Sequence, residues 1–262
     1  MSKRLEIVSS FYNEIDEDAR LGKSRHGQME YITTMHYISK YAEEGVKILE
    51  VGAGTGRYSI SLAKNGYDVT SVELVESNLD VLKANSKGLA NLQAYQGDAL
   101  DLSRFADNSF DVTLLFGPLY HLYESKDVQK AIDEAIRVTK PEGVILVAFL
   151  SVYAILFDNY LNGALLAGIE ENFTKDYRIR HFEEQLFTGY DIVEFEELFV
   201  DKQVEHLNTV AVNGILELAE GRSDFAMSDE ELDGFAKLWL AICEKRELLG
   251  TSGHLLYICR KQ

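Results

Sequence analysis

A run of small residues, Gly52-Ala53-Gly54-Thr55-Gly56, follows Glu50 and Val51 and leads into an amphipathic segment. Glycines placed where an apolar strand turns into a helix let the backbone approach a ligand closely and bend sharply. The spacing separates the possible ligands. A dinucleotide fingerprint reads Gly-x-Gly-x-x-Gly and would put its third glycine at position 57, which is Arg57; here Gly56 arrives one residue early. A diphosphate wants positive potential at a helix N-terminus, so the acid at Glu50 favours instead a ligand bearing an ammonium or sulfonium. The loop also lacks the lysine of a phosphate-binding P-loop.

Two further acids fall at the ends of apolar runs. Glu73 stands about 20 residues beyond the glycines, where a carboxylate can accept both ribose hydroxyls, and Asp98 follows Gly97, placed to accept from the exocyclic amine of an adenine. Together with the loop they describe a seat for a nucleoside whose tail is positively charged. Past the next apolar run come Tyr120 and His121, candidates for taking a proton from an acceptor because an imidazole titrates near neutrality. The alternative is that they close the pocket or cap the following helix. Nearer the N-terminus, Tyr12 and Tyr31 are candidates for shaping a substrate pocket, and Arg20 or Arg25 for meeting a carboxylate. Against this, Tyr31, Met35 and Ile38 also fit an ordinary buried helix stripe, with the basic residues solvated.

The elements that must hold these residues alternate as in a parallel sheet wrapped by helices. Strands are expected at 47–51, 68–73, 92–96, 110–116 and 144–150, each rich in Val, Ile, Leu or Phe. Between them lie a helix over 58–65 ending at Gly66, a second opened by a capping box at Ser77-Asn78-Leu79-Asp80 and stopping near Gly88, and a third with Val128, Ala131, Ile132, Ala135 and Ile136 on one face. Lys140-Pro141-Glu142-Gly143 turns the chain into the fifth strand. Residues 1–44 are helical in pattern, a cap ahead of the sheet. Residues 152–190 read as a lid with a helix around 154–166 and aromatic walls from Tyr153, Phe157, Tyr160, Phe173, Tyr177, Phe182, Phe187 and Tyr190; Arg178, Arg180 and His181 form a local basic patch. An acidic helix near 193–199, a strand near 204–212, a helix over 229–247 opened by Ser228 and a last strand at 254–259 complete a single domain, with His206 and His254 as structural residues.

Read in order, Ile48-Leu49-Glu50-Val51-Gly52-Ala53-Gly54-Thr55-Gly56, Val72-Glu73, Gly97-Asp98-Ala99, Phe110-Asp111-Val112-Thr113-Leu114-Leu115-Phe116 and Arg137-Val138-Thr139-Lys140-Pro141-Glu142-Gly143 resemble the motifs of the class I S-adenosylmethionine-dependent methyltransferases. The resemblance implies an α/β fold, a three-layer α-β-α sandwich around a seven-stranded, mostly parallel, Rossmann-like sheet whose last strand is antiparallel. It implies S-adenosyl-L-methionine as cofactor and S-adenosyl-L-homocysteine as product. The glycine loop would surround the methionine moiety, Glu73 the ribose, and Asp98 with Ala99 the adenine, with Leu74 and Phe116 completing the cofactor set. One departure stands out: Gly117-Pro118-Leu119-Tyr120 replaces the Asn/Asp-Pro-Pro-Tyr/Phe motif of the family's nucleic-acid amino-methylating members.

Composition narrows the partners. Lys plus Arg number 26 against 43 Asp plus Glu in 262 residues, a net charge of −17 that repels phosphate backbones and anionic lipid. With 46% hydrophobic residues the chain can bury a substantial core. Two cysteines, Cys243 and Cys259, make neither a disulfide framework nor a metal spacing, and no metal is expected. The N-terminus lacks a secretory apolar core, and the most apolar stretch, 144–157, is too short to span a bilayer, so a cytoplasmic protein without membrane attachment is expected. The expectation is a methyltransferase of a small molecule, as monomer or homodimer. Methylation of a protein, peptide or RNA, and a non-catalytic cofactor-binding module, are the alternatives.

Overall fold

The computed structural model describes residues 3–14 and 20–262. Seven strands, β1 (Lys47–Val51), β2 (Asp68–Glu73), β3 (Leu92–Gln96), β4 (Phe110–Leu115), β5 (Thr139–Leu150), β6 (Val204–Ala211) and β7 (His254–Lys261), form one sheet in the order 3-2-1-4-5-7-6. Strands β1 to β5 pair in parallel, whereas β7 runs antiparallel to both β5 and β6. Consecutive residues of β1, β4 and β5 are buried, so apolar layers cover both faces of the central sheet.

Ahead of the sheet lie α1 (Lys3–Glu14), α2 (Arg20–Lys23) and α3 (Arg25–Tyr41), the last opened by Ser24, whose hydroxyl accepts from the Gly27 N–H at 3.0 Å. The crossovers are α4 (Arg57–Lys64), α5 (Glu76–Asn85) and α6 (Ser125–Val138). Helix α6 buries Val128, Ala131, Ile132 and Ala135, as the 3–4 spacing anticipates. Helices α7 (Val152–Tyr160), α8 (Leu165–Asn172) and α9 (Ile192–Glu197) follow β5; α10 (Leu216–Glu220), α11 (Asp229–Ile242) and α12 (Arg246–Leu249) separate β6 from β7. Ser228 and Glu231 form a reciprocal capping box on α11.

Several local expectations are corrected. Helix α5 starts after Val75, with no side-chain cap; Ser77 lies inside it, and its hydroxyl donates to Asn13 Oδ1 at 2.6 Å, tying α1 to α5. The helix expected over 154–166 is two, α7 and α8, because Gly163 adopts φ 105° between them. The long helix expected to reach 247 stops at Ile242. The fifth strand begins at Thr139, with its Lys140–Gly143 turn carried as an irregularity: Phe110 pairs with Thr139 and Val112 with Val144, while Glu142 takes φ 64°.

Candidate active site

Strands β1 and β4 are neighbours whose onward connections diverge, which opens a crevice at their carboxyl ends. Gly52 sits there with φ 85°, and a Cβ on it would stand 2.1 Å from the Phe116 carbonyl oxygen, so this position admits no side chain. The N–H groups of Gly52 and Ala53 donate to Val72 O at 2.9 and 3.1 Å. Glu73, 5% exposed, accepts from the Gly54 N–H at 2.7 Å through Oε2 and from the Val75 N–H at 2.8 Å through Oε1. The carboxylate at the end of β2 therefore fixes the glycine loop while it lines the cleft, and a carboxylate has acceptor capacity beyond two such bonds.

Glu50, Gly52, Ala53, Gly54, Glu73, Leu74, Asp98, Ala99 and Phe116 line this cleft together. Gly56 does not. It begins α4 at φ 88°, where a Cβ would meet Leu82 Cγ at 2.6 Å, so its absent side chain serves the packing of α4 on α5. Glu50 also behaves differently from the anion that its place beside the loop suggested. It is 1% exposed, receives the Ser59 hydroxyl, and is pushed up to about 8 by burial, with the Glu73 charge adding to the rise. Burial therefore favours its neutral form. Asp98 is engaged as well, in an ion pair with Arg4 of α1. Arg4 reaches the cleft from α1, as Arg57 does from α4, and nothing in the sequence surroundings of Arg4 distinguished it.

Tyr120 and His121 lie in a short 3₁₀ turn, Pro118–His121, that follows β4. Both line the cleft. His121 Nδ1 is 2.8 Å from the Leu186 carbonyl, which can only accept, so Nδ1 carries the proton. Nε2 then accepts from the Tyr12 hydroxyl at 3.1 Å. Burial pushes the imidazole down to about 4, with the nearby Arg4 charge adding to the fall. At pH 7 such a group is protonated in roughly one molecule in a thousand. That makes His121 a weak base and a firm acceptor for Tyr12.

A second cavity of about 570 Å³ lies between α1, α7, α8 and the 184–187 loop, and Tyr12, Tyr120 and His254 line both it and the cleft. Of the aromatic residues expected in the lid, Tyr160 and Phe187 line this cavity. Tyr190 is buried against Phe195, and Tyr177 is 76% exposed. His206 stacks on Tyr257 as a structural residue. His254 was expected to match it and instead stands on both cavity walls, 3.8 Å from carboxylate oxygens of Glu30 and Glu217. A strand-end histidine followed by an apolar run carried no signal of this.

The remaining candidates lie elsewhere. Arg25 donates to Met227 O and pairs with Asp229, and Tyr31 donates to Ser61 and stacks on Tyr58; neither lines either cavity. The Arg20 side chain is outside the described residues. Arg178, Arg180 and His181 also stay off the cavity walls, His181 being bonded to Thr188 and Glu194.

A sequence model of the methyltransferase domain matches residues 49–147, the part that carries the cleft. Over those residues the chain is similar to a methyltransferase domain. S-adenosylmethionine is the cofactor that such a domain implies. A demethylmenaquinone methyltransferase of Paenarthrobacter aurescens (strain TC1) is 30% identical over 165 residues, 61% of this chain and 60% of that protein. One from Renibacterium salmoninarum is 37% identical over 132 residues, 48% and 52% of the two chains. The chain thus spans about half to three fifths of the length of these curated relatives. A crystal structure of an S-adenosylmethionine-dependent methyltransferase from Methanosarcina mazei superposes with a TM-score of 0.55 at 20% identity, over 86% of this chain and 96% of that one, a likeness of fold. The donor set of the methyltransferase domain fits the cofactor: backbone without side chains at the loop, a buried carboxylate beside it at Glu73, and a second carboxylate at Asp98.

Proposed function

We propose that the protein transfers a methyl group from S-adenosylmethionine to a small-molecule acceptor seated in the cavity beside the cofactor cleft. The observation that carries this reading is the shared wall: Tyr12, Tyr120 and His254 belong to both spaces. When bound, the cofactor supplies an electrophilic methyl on a sulfonium. Displacement at that carbon needs little covalent help, and holding the acceptor in line can supply up to about 7–11 kcal/mol of the barrier. Tyr12 is the residue suited to that task. Its hydroxyl donates to His121 and stands on the wall shared by the two spaces, where contact with an acceptor's N–H or O–H would turn the acceptor's own lone pair toward the cleft. His121 is then a positioning residue that acts through Tyr12.

The relatives' name, demethylmenaquinone methyltransferase, supports a small-molecule acceptor as a class. The net charge of −17 weighs against RNA. Calorimetry with S-adenosylmethionine, followed by assay of S-adenosylhomocysteine release across metabolite pools, tests the reading. Glu73→Ala should weaken cofactor binding by about 1.5–3 kcal/mol, the worth of hydrogen bonds to a charged acceptor. Tight binding with no turnover on any pool would favour a cofactor-binding module instead.

A further inference from the structure

The cavity beside the cleft has a marked chemical bias. Its described lining includes the carboxylates Asp158, Glu171, Glu184 and Glu217 and contains neither Lys nor Arg. Three of the four carboxylates are already engaged: Glu171 accepts from the Tyr160 hydroxyl at 2.8 Å, Glu184 from Lys3 at 2.6 Å, and Glu217 from Asn213 at 3.1 Å beside His254. Asp158, on α7, makes no hydrogen bond or ion pair among the described residues. The charged or titratable groups that it feels are Glu217, His26 and His254; partial burial, with Glu217 adding to it, holds its carboxyl above the ordinary range. On the same lining Gln185 donates through Nε2 to Asn172 Oδ1 at 3.3 Å, while its Oε1 is buried away from the cavity. Phe11, Tyr160 and Phe187 add ring faces and edges.

Resting on the methyl-transfer reading above, we infer that the acceptor is an organic amine with an apolar or aromatic body, its ammonium end received by Asp158. Carboxylate acceptors offer a cation what they deny an anion, and ring faces attract it further. A phenolate or carboxylate would enter a field of its own sign. The balance of the step is simple. The bound ammonium loses one proton to solvent, and the nitrogen lone pair forms a C–N bond with the donor methyl as the C–S bond breaks. The bonding pair stays on sulfur, so a methylated ammonium and a neutral thioether result.

The test is titration of the S-adenosylhomocysteine complex with 2-phenylethylamine, 4-phenylbutylamine and tryptamine, each against the alcohol and the carboxylate of the same skeleton. At least one amine should bind about tenfold or more tighter than its alcohol, with the carboxylates weakest. Asp158→Asn should erase most of that preference while leaving S-adenosylhomocysteine affinity unchanged. Alcohols or carboxylates that bind as well as the amines, no binding by any amine, or a preference intact in Asp158→Asn each overturn the inference and leave methyl transfer standing. Failure of the first titration, with S-adenosylhomocysteine itself, overturns both.

Discussion

The Tyr12 hydroxyl, carried on the first helix, donates to Nε2 of His121 at 3.1 Å across 109 residues of sequence. The bond requires a neutral imidazole, and burial supplies one by holding His121 near 4. A ring titration by NMR should therefore show the Nδ1–H tautomer of His121 unchanged from pH 8 down to about 5, and a midpoint near 6.5 would sink the positioning role. The sign for stability follows: between about 4 and 6.5 the unfolded chain binds the extra proton, so His121 costs stability as pH falls through that window. Tyr12→Phe keeps the ring but not the oxygen; kcat should fall roughly ten- to hundredfold, the scale of a misoriented reactant, with cofactor affinity unchanged.

Arg4 and Asp98 form the contact that closes α1 over the cleft, with side chains 12% and 31% exposed. A guanidinium there occupies the carboxylate expected to meet the adenine and repels an incoming sulfonium. Arg4→Ala should accordingly tighten S-adenosylmethionine binding by about three- to tenfold, within the 0.2–1 kcal/mol range or slightly above it for a partly exposed pair. Added salt should narrow the difference between the two proteins, because screening loosens the pair in the parent. Weaker binding in the variant would instead place Arg4 on the methionine carboxylate of the cofactor.

How far each part of this site could be read from sequence depends on how local its causes are. The glycine loop, Glu73 and Asp98 sit at strand ends whose apolar runs announce them, so their meeting at one cleft was legible in the sequence. Gly56 misled because a glycine needed for close packing against Leu82 looks the same as one needed for a ligand. Ser77 matched a capping box in its neighbours, yet a tertiary partner, Asn13, took its hydroxyl. Arg4, Asp158 and His254 are brought to the cavities from the first helix, α7 and the last strand. Their roles arise only from long-range folding, and no short-range pattern marks them. The charge of Glu50 was misjudged for a related reason: its identity is local, but its ionisation depends on how deeply the finished fold buries it.

Glu50 makes that burial measurable. Its carboxyl sits at about 8 in the folded protein against 4.5 for the ordinary group, so between those values the folded chain holds a proton that the unfolded chain has lost. Stability from this group is therefore full below about 4.5 and is lost as pH rises through 8. Glu50→Gln removes the titration while keeping an acceptor for Ser59, so the variant should gain on the parent as pH climbs from 5 to 8, by on the order of 1–3 kcal/mol at the upper end. Cofactor binding gives the converse signature. A cation brought beside Glu50 favours its ionised form, so binding near pH 7 should release a proton, and the parent's affinity should rise with pH up to about 8. Calorimetry in two buffers of different ionisation enthalpy measures that release directly. The same heat in both buffers would mean that Glu50 stays protonated and that its carboxyl serves the fold alone.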